Sequence, residues 1–98
     1  MTEAPDASVR LDVWLWRARM FKTRGLAASL IGGKGVRVSR SGQVRRVTKP
    51  GATIRIGDVL TFSRGPQIET LEVVDLGVRR GPAGEAAMLY RRLGGEND

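Results

Sequence analysis

The sequence predicts an α+β domain: two N-terminal helices packed on a small, mostly antiparallel twisted sheet, with a helix at the C-terminus. Three observations carry that expectation. Apolar residues recur at helical spacing over residues 10–21 and 24–31. From Val36 onward, short apolar or alternating runs are separated by turns bearing glycine or proline, as in successive hairpins. The 98 residues contain no internal repeat and no linker, which suits one small domain.

The first helix is expected from about Arg10 to Phe21, with Ser8 as its N-cap. Leu11, Trp14, Leu15, Ala18 and Phe21 share one broad face, while Val13, Trp16 and Met20 form a second stripe. A helix apolar on two sides is sandwiched between other elements. Both tryptophans are read as core, with base stacking the alternative for Trp16. Lys22-Thr23-Arg24 makes a tight link to a second helix, about Arg24 to Ile31, capped by Thr23 and ended by Gly32-Gly33. Strands are expected at Val36–Val38, Val44–Thr48, Ala52–Ile56, Val59–Ser63 and Ile68–Leu76, with turns between them. In the first of these, Arg37 points away from the core if the flanking valines point in. A closing helix from about Ala83 to Leu93 follows Pro82, carries Glu85 early and Arg91-Arg92 late to suit the helix dipole, and stops at Gly94-Gly95. The domain is thus placed at residues 9–93, after a polar, disordered lead-in of residues 1–8 and before a short tail of residues 94–98.

Composition narrows the function. Hydrophobic residues make up 41% of the chain and charged residues 28%, an ordinary globular balance. Cysteine and histidine are both absent, which removes thiolate and imidazole metal sites and the usual nucleophile–base pairs. No run of about 20 apolar residues could span a bilayer, and the N-terminus lacks the basic start and apolar run of a secretory signal. A cytoplasmic, non-catalytic protein without metal or cofactor is expected, and a monomer.

The net charge of +7 is unevenly placed. Between Arg10 and Lys49 lie eleven basic residues and one acid, Asp12, whereas residues 50–98 carry six basic and seven acidic residues. A one-sided field of this kind suits a polyanion. Fourteen of the 17 cations are arginine, whose planar fork matches phosphate and stacks on bases. The densest point is the link: Lys22 and Arg24 flank the start of the second helix, where free N–H groups and the dipole attract anions, and Arg19 arrives from the helix before. Lys34 and Arg37 extend this basic surface toward the sheet.

Several motifs carry a resemblance that covers nearly the whole chain. They are Arg10-Leu11-Asp12, Trp14-Leu15-Trp16, Ala18-Arg19, Lys22-Thr23-Arg24 ahead of Leu26-Ala27, and Gly33-Lys34 before Val36-Arg37-Val38. Gly42-Gln43, Lys49-Pro50 and Gly57-Asp58 follow, then Arg79-Arg80-Gly81-Pro82-Ala83 and Glu85-Ala86-Ala87-Met88-Leu89-Tyr90. Residues 9–93 resemble the S4 RNA-binding domain, or alpha-L RNA-binding motif, and within it the bacterial ribosome-associated heat-shock protein 15 family. The resemblance implies binding of structured RNA, chiefly ribosomal RNA of the large subunit with contact to tRNA, in recovering stalled subunits that still hold a peptidyl-tRNA.

It also implies RNA-binding roles for Arg10, Arg19, Lys22, Thr23, Arg24, Lys34 and Arg37, while Asp12, which shares a helix seam with Arg19, is expected to hold that side chain in place. About six phosphate contacts would give a log–log salt slope of roughly −4 to −6. Three features depart from the family pattern. Val13 stands where a lysine is frequent, the longer turn Ser39-Arg40-Ser41-Gly42 replaces an Asn-Gly turn, extending the hairpin tip and adding a cation there, and the basic tail of longer relatives is missing from a sequence ending at Asp98.

Other readings compete. S4-type domains also occur attached to RNA-modifying enzymes and tRNA synthetases, but Asp12, Asp58 and Asp75 lie in no catalytic pattern. DNA is a secondary partner, because the helix pair has helix-turn-helix character although its second helix offers only Ser29 to read bases. A protein-interaction module is the third, with Glu69, Glu72 and Asp75 as an acidic patch able to meet the basic half of another copy.

Overall fold

A computed structural model of the chain describes residues 7–93. The α+β expectation is met, though the ends of the elements move for identifiable reasons. Strand β1 (Val9–Arg10) runs directly into helix α1 (Leu11–Arg17), followed by helix α2 (Arg24–Gly33) and strands β2 (Val36–Arg40) and β3 (Gln43–Val47). Strand β4 (Thr53–Ile54) pairs only with β1, and β5 (Val59–Arg64) and β6 (Gln67–Val73) form the next hairpin. One helical turn, α3 (Ala83–Ala86), and a 3-10 turn at Ala87–Leu89 lead into strand β7 (Tyr90–Arg92). The main sheet is antiparallel throughout, in the order β3-β2-β5-β6-β7.

Helix α1 is shorter than expected at both ends. Ser8 does not cap it: Arg10 occupies the cap position without a side-chain bond, and the first helical N–H groups donate instead to Ala52 and Pro50 carbonyls. At the other end Arg19 adopts a left-handed φ of 61°. Its N–H donates to the Trp16 carbonyl at 3.1 Å and the Met20 N–H to that of Leu15 at 3.0 Å. This is a Schellman cap with arginine where glycine is the usual residue. Leu15 and Met20 are both buried in the core, as the apolar residues that flank such caps usually are.

Helix α2 begins as expected, with Thr23 Oγ1 accepting from the Leu26 N–H at 3.0 Å. It ends later: Gly32 and Gly33 stay helical, and Gly35 takes the left-handed conformation at φ 84°. The β2–β3 hairpin turns on just Ser41 and Gly42, both at positive φ, so it is a two-residue turn rather than an extended tip. Arg40 does not add a cation there. Its guanidinium turns back to grip Asp58, with Nε–Oδ1 2.9 Å and Nη2–Oδ2 2.8 Å.

The core lies between the helix pair and one sheet face. Leu11, Trp14 and Leu15 of α1 and Ala27 and Ile31 of α2 meet Val36, Val38, Leu60, Phe62, Leu71 and Val73. Trp14 is fully buried and its Nε1 donates to the Asp75 carbonyl at 2.9 Å. The expected sandwich is present. On the far side of α1, residues 75–81 form a strap: Arg17 donates to the Gly77 carbonyl at 2.9 Å, while Arg80 donates to that of Trp16 and lies over its ring. Trp16 is therefore half-buried under an arginine rather than free to stack on a base.

The expected closing helix is mostly absent. Gly84 weakens a segment too short to repay helix nucleation, whereas β6 offers an open edge. Residues 90–92 take that edge, in the register Leu71↔Arg92 and Val73↔Tyr90. Arg91 and Arg92, expected to serve a helix dipole, instead pair across the strands with Glu72 and Glu69. The stop at Gly94-Gly95, the tail of residues 94–98 and residues 1–6 of the lead-in lie outside the described residues.

Candidate nucleic-acid interface

Arg19 apart, the residues singled out in the sequence separate into two groups at opposite ends of α2, about 15 Å apart at the rise of an α-helix. The first group surrounds the N-terminus of α2. Lys22, Thr23 and Arg24 are all exposed. Thr23 ties down the Leu26 N–H, and its carbonyl accepts from Ala27 at 3.2 Å, so the Arg24 and Gly25 N–H groups are left to face outward. Arg10 joins this corner because β1 feeds straight into α1.

Asp12 organises the corner, and it does so differently from expectation. Its carboxylate takes a two-pronged grip from Arg10, Nε–Oδ1 3.0 Å and Nη2–Oδ2 2.9 Å, and Arg24 Nη2 lies 4.0 Å away. Arg19 is not its partner, because the left-handed cap at the end of α1 swings that side chain to the Gly81 carbonyl at 2.7 Å. Burial alone would raise the Asp12 pKa. The Arg10 hydrogen bonds and charge, the Val13 N–H and the Arg24 charge outweigh that and hold it below its ordinary value. Asp12 thus stays ionised and steers two arginines while cancelling only part of their charge. The turn at residues 49–51 closes the corner, with Gly51 packed against the Arg10 guanidinium.

Lys34 and Arg37 do not belong to that corner. Lys34 caps the C-terminal end of α2, and Arg37 points from β2 to the sheet face opposite the helices, as the Val36/Val38 alternation implied. There they border a depression of about 430 Å³ together with Arg46, Thr61, Ser63 and Ile68. Arg46 was missed, although its place in the 43–47 strand opposite Arg37 follows from hairpin register once the two-residue turn is recognised. Between the two groups α2 exposes Gly25, Leu26, Ser29, Gly32 and Gly33, a low-relief face that permits close approach of another backbone.

The acidic residues reinforce this division. Asp58 and Glu69 are buried in arginine pairs, Glu72 pairs with Arg91, Glu85 with Arg79, and Asp75 accepts from the Gly77 N–H. Glu69, Glu72 and Asp75 therefore do not form the free acidic patch considered for self-association. Among the described residues no carboxylate makes an ion pair with Lys22, Lys34, Arg37, Arg45, Arg46 or Lys49. Nor does any group of three His, Cys, Asp or Glu among them form a metal cluster, and no helix is long and apolar enough to cross a membrane.

Comparison with known proteins identifies the family to which this fold is similar. The S4 domain family model matches residues 9–60. Heat shock protein 15 of Escherichia coli K12 is 41% identical over 90 residues, covering 92% of this chain and 64% of that protein. The heat shock protein 15 homolog of Haemophilus influenzae is 33% identical over 86 residues, covering 88% and 62%. The match thus spans somewhat under two thirds of the length of these curated relatives. The solved Vibrio cholerae Heat Shock Protein 15 is 37% identical with a TM-score of 0.75, covering 88% of this chain and 82% of that one. It is described as trimeric, which does not match the monomer expected for this chain.

Proposed function

The chain belongs to the S4 domain family and, within it, to the heat shock protein 15 family, and from that premise we propose that it binds folded RNA without acting on it chemically. The observation that carries this reading is the corner itself. Lys22, Arg24 and Arg10 surround a capped helix N-terminus whose single carboxylate is already committed to two arginines. Such a corner takes phosphates and reads backbone shape, with little capacity to distinguish base pairs.

The exposed face of α2 favours RNA over duplex DNA. A recognition helix needs long polar side chains to reach base edges in a major groove, and this one presents glycines, Leu26 and Ser29. Its flatness suits contact with the shallow minor groove and sugar edges of an A-form helix. The RNA proposed is ribosomal RNA of the large subunit, bound in the cytoplasm in recovering subunits that retain a peptidyl-tRNA after translational stress. Arg10, Lys22 and Arg24 hold phosphates, Thr23 aims the helix N–H groups, and Arg19 contributes the donors left free by its bond to Gly81.

Two measurements test this. In a competition between a structured ribosomal RNA fragment and duplex DNA of equal length, RNA is expected to win; preference for DNA would reject the reading. Sedimentation of a stressed cell lysate should find the protein with free large subunits, and its absence from every ribosomal fraction would reject the ribosomal assignment.

A further inference from the structure

Arg37 and Arg46 stand directly opposite each other on neighbouring strands, on the sheet face turned away from the helices. Like charges in that relation destabilise a sheet. No described carboxylate pairs with either arginine. The arrangement is nevertheless built. Arg46 Nε and Nη2 both donate to the Lys34 carbonyl, the latter at 2.8 Å, which lays the side chain flat across Gly35. Gly35 is favoured by its positive φ of 84°, and a Cβ there would meet Arg46 Nε at 2.9 Å and push that side chain off its seat. The remaining Arg46 donors, the Arg37 fork and the Lys34 ammonium border one depression of about 430 Å³. Its other wall is formed by Thr61, Ser63 and Ile68, the last largely exposed. That volume falls in the range of small-molecule sites.

We propose that this depression is a second RNA site, separate from the helix corner, that seats one nucleotide of a single strand. The phosphate is held by Lys34, Arg37 and Arg46. The sugar and base lie across the strands, with the base against Ile68 and the hydroxyls of Thr61 and Ser63 within the same depression. A folded RNA on the corner and an unpaired segment on the sheet could then be held at once, which rests on the RNA-binding reading above and extends it.

Two labelled probes separate the sites by fluorescence anisotropy at near-physiological salt: a 5′-phosphorylated uridine tetranucleotide and a blunt RNA hairpin without single-stranded tails. Arg37→Ala/Arg46→Ala is expected to weaken the tetranucleotide at least tenfold and the hairpin less than threefold. Protein saturated with hairpin should still bind the tetranucleotide. Arg37→Thr, at an exposed strand position where it removes one of the opposed charges without touching the Arg46–Lys34 bond, is expected to weaken the tetranucleotide about 3–10-fold and the hairpin less than threefold. Unchanged tetranucleotide affinity in both variants, or its displacement by hairpin, would overturn the proposal. So would competition by uridine monophosphate as effective as that of the tetranucleotide, since the site would then take a free nucleotide. If Lys22→Ala/Arg24→Ala leaves hairpin affinity intact, it is the corner assignment that fails, whereas the sheet site is judged on the tetranucleotide alone.

Discussion

At Asp12 a nearly buried carboxylate is kept charged by two arginines and a backbone N–H. A folded-state pKa below the unfolded value means that its stabilisation is complete above the ordinary carboxylate range and is lost as pH falls through the depressed value. Glu69, lowered chiefly by its hydrogen bond to Arg92 against the opposing effect of burial, behaves in the same way. The urea midpoint should therefore fall on acidification below about pH 4, and Asp12→Asn should flatten that fall while costing about 1.5–3 kcal/mol at neutral pH. A midpoint in the variant as pH-sensitive as in wild type would contradict the assignment. Arg19 makes a second residue-scale case. Its positive φ costs about 1 kcal/mol and its bond to Gly81 returns a similar amount. Arg19→Gly should accordingly shift Tm by less than about 5 °C. It should weaken RNA binding by about 3–10-fold, as loss of one phosphate contact would.

Among the elements, those whose signals are local were the legible ones. The Thr23 cap and the Val36/Val38 alternation stand where the pattern put them. Thr23→Ala should cost about 1 kcal/mol, a Tm loss of roughly 4–8 °C, with Thr23→Ser restoring most of it. The elements misjudged are those decided by distant partners. Helix α1 stops at a left-handed arginine that no propensity announces, where the bond from the Met20 N–H to the Leu15 carbonyl and the burial of both side chains hold the cap. Residues 90–92 have helical spacing but are captured by the open edge of β6 and the carboxylates of Glu69 and Glu72. The site was legible to the same extent. Charge counting found the corner, yet pairing decided that Asp12 serves Arg10 and Arg24, and sheet alternation sent Arg37 to the opposite face.

Across the whole molecule, the described carboxylates are engaged in internal bonds, so the outward field comes from the cations left over. Asp58 shows what this arrangement costs when broken. It is fully buried, gripped by Arg40 and bonded to the Arg55 N–H at 2.9 Å, and it joins the β2–β3 hairpin to the turn before β5. Asp58→Ala strands the Arg40 charge and should cost about 3–5 kcal/mol, read as a lower urea midpoint. That is a large share of the stability of a domain this size.

The proposed grip of Lys22 and Arg24, at the start of α2, on phosphates of a folded RNA is read in the salt dependence of hairpin binding by wild type and by Lys22→Ala/Arg24→Ala. The four cations Arg10, Arg19, Lys22 and Arg24 predict a wild-type log–log slope of about −3.5, and loss of two should reduce it by about 1.5 while weakening binding at every salt concentration. An unchanged slope and affinity in the double variant would place the grip elsewhere on the molecule.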